Sequence, residues 1–94
     1  MNSHDALYGY LAGQFADADL LGLTDEQAAV DGLSPETKVA YSQVLHQGHA
    51  LLASRPFDWQ RVGDYANRVF KNEDDARRWL TQMMDLLEEA LKKV

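Results

Sequence analysis

Apolar side chains recur every three or four residues along most of this chain, and nowhere do they alternate with polar ones as along a half-buried strand. A helix with one apolar face must bury that face against other elements. The spacing therefore predicts an all-α fold, a compact bundle of four to five helices. The longest stripe follows the helix-capping residue Asn72 and comprises Ala76, Trp79, Leu80, Met83, Leu87, Ala90, Leu91 and Val94.

Two helices are predicted in the first third of the chain. The first covers residues 4 to 21, with Asn2 or Ser3 as its cap and Gly22 as its stop. A short second helix follows near residues 25 to 31, after a capping box that starts at Thr24. Within the first helix, Gly9 and Gly13 are predicted to let another helix approach closely.

Two more helices precede the last one. The third is predicted to open at Ser34-Pro35-Glu36, which offers a cap, a proline at the first helical position and an acid in the first turn, and to stop before Pro56. The fourth follows the cap Asp58, and its apolar stripe is Trp59, Val62, Ala66, Val69 and Phe70.

Length and composition limit what such a bundle can be. With 94 residues, 46% of them hydrophobic, the chain suits a single helical domain over residues 1–94. No apolar run approaches the roughly 20 residues of a membrane span, and no signal peptide is recognisable, so a cytoplasmic protein without membrane contact is expected. The chain has no cysteine, which excludes disulfides and a thiol nucleophile.

The net charge of -6 comes from one part of the chain. The first 54 residues hold seven carboxylates and one lysine, whereas the last 40 hold eight acids and eight bases. Several of the later acids stand four residues before a base, as do Glu73 before Arg77 and Asp64 before Arg68, where they would pair on a helix. The earlier acids lack such partners and predict an electropositive binding partner.

Not all of these acids need a partner. Asp5, Asp25, Glu26, Glu36 and Asp58 stand at predicted helix starts, which favour negative charge. Three others stand at predicted helix ends, where an exposed acid is unfavourable by roughly 0.3–1 kcal/mol. Either a cationic partner or, within the fold, Arg55 or another helix start would neutralise them. These three are Asp17, Asp19 and Asp31.

The candidate partner-binding residues follow from this distribution. They are Asp17, Asp19 and Asp31, with Asp25, Glu26 and Glu36 from the same acidic part and with Tyr8 and Tyr10. We expect at least one of the two tyrosines to be exposed beside the acids, because tyrosine is a favoured contact residue at interfaces.

Catalytic and metal chemistry find little support. His46 and His49 could face one metal ion from neighbouring turns, but no HExxH pattern is present and no metal site is predicted. The chain has no recognisable nucleophile elbow or phosphate-binding loop, so neither an enzyme nor a cofactor is predicted. Direct binding to nucleic acid is not expected of a chain with a pI of about 4.8.

The segment from Asp58 to Phe70, followed by Asp75-Ala76-Arg77-Arg78-Trp79-Leu80, resembles the helical pairs of small immunity proteins of bacterial contact-dependent growth inhibition systems. The resemblance covers roughly the carboxyl-terminal 40 residues. It implies a protein without catalytic residues that binds a cognate toxin, frequently a cationic nuclease. Val69-Phe70, Ala76 and Trp79-Leu80 also resemble the toxin-binding domain of Xre/MbcA/ParS-type antitoxins, although residues 81–94 prolong a helix where that family has a loop.

Together these features predict an immunity protein, monomeric when free, that neutralises a basic nuclease toxin by steric and electrostatic blocking. Two alternatives remain open. One is a phage-encoded acidic inhibitor that mimics nucleic acid toward a host defence complex. The other is a helical adaptor that self-associates through the surface Met83-Met84-Leu86-Leu87.

Overall fold

The computed structural model describes residues 4–94, and across that range it contains five α-helices and no β-strand. The predicted all-α bundle is confirmed. The caps predicted at Asn2 or Ser3 lie outside the described residues. The helices are α1 (Asp5–Gln14), α2 (Asp25–Val30), α3 (Lys38–Leu52), α4 (Trp59–Ala66) and α5 (Glu73–Leu91).

Helix α5 lies at the centre of the packing and contacts α2, α3 and α4, while α1 contacts α3 and α4. Burial of one large apolar side chain stabilises a fold by roughly 1.5–3 kcal/mol, so this shared core holds the helices together. The largest fully buried side chains are Phe15, Leu7, Leu11, Leu80, Met83, Met84, Leu87 and Val62.

Three predicted caps are present as hydrogen bonds. The Thr24 hydroxyl accepts from the backbone N–H of Gln27 at 3.1 Å, and the Gln27 side chain accepts from the Thr24 N–H at 2.9 Å, which completes the capping box of α2. Asp58 and Asn72 cap α4 and α5 by a single bond each, since their side chains accept from the backbone N–H of Arg61 and of Asp75. These starts are predictable because a cap is a contact between residues only three positions apart.

The prediction that the first helix reaches residue 21 is wrong. Helix α1 ends at Gln14, and residues 15–22 form consecutive turns. Aspartate competes with the helical backbone for hydrogen bonds, and this segment contains two aspartates. The turns end at Gly22, the residue predicted to stop the helix, and its φ of 74° lets the Leu23 N–H donate to the Ala18 carbonyl at 2.9 Å.

The third helix begins later than predicted. Residues 34–37 form a turn in which the Ser34 N–H donates to the Thr37 hydroxyl at 2.9 Å and the Thr37 N–H donates to the Ser34 carbonyl at 3.1 Å. Helix α3 therefore starts at Lys38. Its end at Leu52, before Pro56, agrees with the prediction.

The prediction of close helix approach at Gly9 and Gly13 is wrong, because a Cβ at either position would meet open space. Close approach occurs at other glycines, two of them within helices. A Cβ on Gly48 would collide with the side chain of Met84, and one on Gly63 would lie 2.7 Å from the Arg68 carbonyl oxygen.

The predicted self-association surface is not available. Met83, Met84 and Leu87 are at most 1% exposed, and Leu86 is half-buried. Met83, Met84 and Leu87 belong to the inner face of α5. The stripe predicted for the fourth helix also ends early, because α4 stops at Ala66 and Val69 lies beyond it.

Candidate protein-binding surface

A polar contact between distant parts of the chain organises one side of the molecule. Asp25, in the first turn of α2, accepts hydrogen bonds from Arg68 and from Trp79. Arg68 Nη2 lies 2.6 Å from Asp25 Oδ1, and Trp79 Nε1 donates to Asp25 Oδ2 at 2.8 Å. Asn67, which precedes Arg68 and ends α4, adopts a left-handed conformation with a φ of 55°.

This contact changes the ionisation of both partners. Burial raises the pKa of Asp25, but the hydrogen bonds from Arg68 and Trp79 and the positive charge of Arg68 outweigh it, so the net pKa is lowered. The pKa of Arg68 is raised, first by its hydrogen bonds to Asp25. Asp25 is thus charged and already engaged inside the protein, and we do not count it among the residues free to bind a partner.

The predicted ion pair between Asp64 and Arg68 is wrong, because Arg68 turns to Asp25 instead. The predicted pair of Glu73 and Arg77 is present, with 3.8 Å between Oε2 and Nη2. Spacing along the helix therefore predicted the pair of Glu73 and Arg77 correctly. It failed for Asp64 because Arg68 pairs with Asp25, which lies 43 residues away in the sequence and which no local pattern reveals.

The contact of Asp25 with Arg68 and Trp79 lies where two surface segments meet. Phe15, which starts residues 15–22, and Phe70, which follows α4, both pack their rings against Trp79, with centroid distances of 4.9 and 5.5 Å. Asn67 Nδ2 donates to the Ala16 carbonyl at 3.4 Å. Residues 15–22 and 67–70 are therefore neighbours on the surface.

These two segments carry three of the four most exposed large apolar side chains among the described residues. Leu20 is 86% exposed, Leu21 is 69% exposed and Val69 is completely exposed. Asp17 and Asp19 are exposed in the same turns. We call Asp17, Asp19, Leu20, Leu21 and Val69 together the acidic loop surface.

The two aspartates of this surface form no ion pair with any residue of the described range 4–94. Asp19 lies close enough to Arg68 to contribute to the raised pKa of that guanidinium, but the hydrogen bonds of Arg68 go to Asp25. Neither Arg55 nor another helix start neutralises Asp17 by direct pairing. Negative charge therefore remains beside exposed apolar side chains.

Asp31 lies in a different place. It is the C-cap of α2, and its backbone carbonyl accepts hydrogen bonds from Gln14 Nε2 and from the Tyr41 hydroxyl, each at 2.6 Å. Its side chain is exposed and near Tyr41, whose pKa is raised first by burial and then by the Asp31 charge. No described contact joins Asp31 to the acidic loop surface.

The two remaining candidate acids also have partners within the protein. Glu26 accepts a hydrogen bond from Gln82 Nε2 at 3.4 Å. Glu36 lies in the turn before α3, where hydrogen bonds from its own backbone N–H and from Ser34 lower its pKa. Of the predicted acids, only Asp17 and Asp19 combine exposure, missing partners and exposed apolar neighbours.

The expectation that Tyr8 or Tyr10 is exposed is wrong, since they are 5% and 7% exposed. The Tyr10 hydroxyl donates to the Ala29 carbonyl at 2.6 Å, and burial raises its pKa. Tyr8 packs against Tyr65 with 4.8 Å between ring centroids. Residues two apart on a helix face different directions, but α1 lies against both α3 and α4 and buries both rings.

Sequence reasoning missed Leu20, Leu21 and Val69 as surface residues. Leucine and valine at helical spacing are ordinarily core residues, and Val69 continued an apolar stripe. The only local signal was the pair of aspartates before Leu20, which favours a turn over a continued helix.

Two other places are weaker candidates. The exposed His49 lies 3.5 Å from Glu88, but no group of three or more histidine and acidic side chains within residues 4–94 is arranged to hold a metal ion. An open hollow of about 850 Å³ runs along α5, but the residues that line it are all from that helix and its cap. Acidic and basic side chains both line it, so it favours neither a cationic nor an anionic ligand.

Comparison of the chain with protein-family models, with curated proteins and with solved structures gave no match in any of the three. Within the described residues, no helix combines the length and the apolar character needed to cross a bilayer.

Proposed function

We propose that this protein binds and neutralises a cationic protein toxin, as an immunity protein does, and that the acidic loop surface is part of the contact. The observation that carries the proposal is the position of Asp17 and Asp19, unpaired and adjacent to the exposed Leu20 and Leu21. Exposed apolar side chains beside charged ones are typical of a protein-binding surface.

The chemistry of neutralisation requires no catalytic group. A nuclease holds the phosphates of its substrate with lysine and arginine side chains, and carboxylates on a binding protein compete for the same cations. Exposed acids mainly accelerate association and make it sensitive to salt, whereas buried apolar contacts slow dissociation. Asp17 and Asp19 would supply the first effect, and Leu20, Leu21 and Val69 the second.

The first test is capture of the partner. The tagged full-length chain is purified from cells that carry its native locus, and the bound protein is identified. We expect a basic protein that is toxic when expressed alone and harmless when co-expressed with this chain. Failure to obtain any basic, toxic partner would reject the proposal. Capture of a nucleic-acid-binding defence complex would favour the inhibitor alternative instead.

The second test measures the role of the aspartates. The double variant Asp17→Asn with Asp19→Asn is expected to bind the captured partner about tenfold more weakly at low salt, since each exposed pair contributes up to about 1 kcal/mol. The difference should shrink at high salt, where exposed charges are screened. A control, Asp74→Asn with Asp85→Asn, makes the same change of charge on the outer face of α5 and should bind normally. Equal losses for both double variants would show a general charge effect rather than this surface.

A further inference from the structure

A small recess adjoins the acidic loop surface. It has a volume of about 200 Å³ and lies between α4 and the loop that follows it. Trp59, Val69 and Phe70 give it apolar walls, and Gly63, Asp64 and Arg68 also line it. Val69 lines the recess and also belongs to the acidic loop surface, so the two features share this side chain.

The polar groups of the recess favour a cation. Asp64 is exposed and forms no ion pair with any residue in the range 4–94, because its sequence neighbour Arg68 is bound to Asp25. The guanidinium of Arg68 donates to both Asp25 oxygens, and its side chain is only 17% exposed. Its charge is therefore compensated locally, and Asp64 is the uncompensated charge of the recess.

We infer that this recess receives an arginine side chain of the partner protein. Its methylene groups would pack between the apolar walls, and its planar guanidinium would stack on Trp59 and pair with Asp64. Arginine suits this arrangement better than lysine, because a flat, weakly hydrated cation can use the aromatic face and the carboxylate together. The inference extends the proposed function by naming the side chain that the surface recognises.

The recess can be tested without the partner. The ¹⁵N-labelled full-length chain is titrated with the blocked tripeptide acetyl-Gly-Arg-Gly-amide, and the indole N–H signal of Trp59 is followed by NMR. The indole N–H signal of Trp79, which is hydrogen-bonded to Asp25, serves as an internal reference for the shift. We expect a saturable shift of the Trp59 signal, little change at Trp79, and weaker binding of the lysine tripeptide.

Two comparisons measure the contribution of the ion pair, one by removing the charge of the ligand and the other by removing that of Asp64. Citrulline has the shape of arginine without the charge, and its tripeptide should bind about threefold more weakly, as should arginine to the Asp64→Asn variant. Asp85→Asn, an exposed acid on α5, should leave binding unchanged. An unmoved Trp59 signal, equal binding of citrulline and arginine, or full binding by a folded Asp64→Asn variant would each overturn the inference.

The experiments distinguish failure of the inferred arginine recognition from failure of the proposed function. If the arginine tripeptide binds at Trp59 but no cationic toxin is captured from the native locus, the recess is real and the toxin proposal fails. If a toxin binds with an affinity that depends on Asp17 and Asp19 but not on Trp59 or Asp64, the toxin proposal holds and the recess inference fails.

Discussion

Asp25 shows how one residue can meet two requirements. It stands in the first turn of α2, where negative charge is favourable, and it also binds Arg68 and Trp79 from the second half of the chain. Because the Asp25 side chain is 27% exposed and that of Arg68 17% exposed, loss of either partner would leave a largely desolvated charge.

We therefore expect Asp25→Asn to lower the free energy of unfolding by about 1–3 kcal/mol, the range for a hydrogen-bonded charge that loses its partner. Urea denaturation at pH 7 measures this difference. Asp85→Asn removes an exposed acid without an ion pair among the described residues and should change stability by less than about 0.5 kcal/mol. Equal stability of the Asp25 variant and the original chain would contradict the importance of the contact.

The contribution of Asp25 should depend on pH. Its pKa is lowered in the folded state, so its stabilisation is complete above the unfolded-state pKa of about 3.9 and is lost as the pH falls through the folded-state value. The stability difference between the original chain and Asp25→Asn should therefore be largest near neutral pH. Urea denaturation of both proteins at neutral pH and at a series of pH values below the unfolded-state pKa of about 3.9 tests this. A constant difference would show that the carboxylate charge is not involved.

The sequence predicts Asp25 as a helix-start acid correctly, because the helix start depends on nearby residues. It does not predict Arg68 and Trp79 as its partners, since they lie 43 and 54 positions away. The acids of the candidate surface show the same limit. Charge could be counted from the sequence, but which acids stay unpaired depends on the tertiary fold.

Among the helices, starts were predicted better than ends. The starts of α2, α4 and α5 follow from caps within three residues. The end of α1 at Gln14 depends on how the turns of residues 15–22 bury Phe15 and Ala18, and periodicity alone cannot separate such turns from a continued helix. The candidate surface lies in that segment, which is why its apolar residues were missed.

The packing at the end of α4, between Gly63 and the loop that follows, can be tested by mutation. Gly63→Ala would place a Cβ 2.7 Å from the Arg68 carbonyl oxygen, which belongs to the backbone and cannot simply rotate away. We expect a loss of about 1–3 kcal/mol in unfolding free energy, as for other overpacked sites. Chemical denaturation provides the measurement.

The matched control is Gly13→Ala on α1. Its Cβ would meet open space, and alanine is favoured over glycine within a helix by roughly 0.5–1 kcal/mol. This variant should therefore be slightly more stable than the original chain. A Gly63 variant as stable as the Gly13 variant would show that the loop after α4 adjusts freely.

For the molecule as a whole, the net charge of -6 is distributed differently from what the sequence suggests. One early acid, Asp25, is compensated by a base from the later part, and Asp64 in that later part is left unpaired. Unpaired acids therefore occur in both parts of the chain. The side of the molecule with residues 15–22 and the α4 loop combines them with exposed apolar groups.

We expect the free protein to be a monomer of 10.6 kDa, since the apolar face of α5 is buried within the fold. The exposed leucines adjoin aspartates, and the aspartates of two copies would repel each other if the leucines met. Sedimentation equilibrium at low salt, from micromolar to millimolar protein, measures the mass. A dimer across this range would instead favour a self-associating adaptor. In that case Leu20→Ser with Leu21→Ser would show whether the acidic loop surface forms the dimer contact.

Trp79 contacts three separate segments: its ring packs against Phe15 and Phe70, and its N–H binds Asp25. An indole in this position acts as an optical reporter of all three at once. In a Trp59→Phe chain it would be the sole tryptophan, and its fluorescence would shift to longer wavelength when water reached the ring. Detachment of the segment after α1, of α2 or of the loop after α4 could then be followed in real time, without any attached dye.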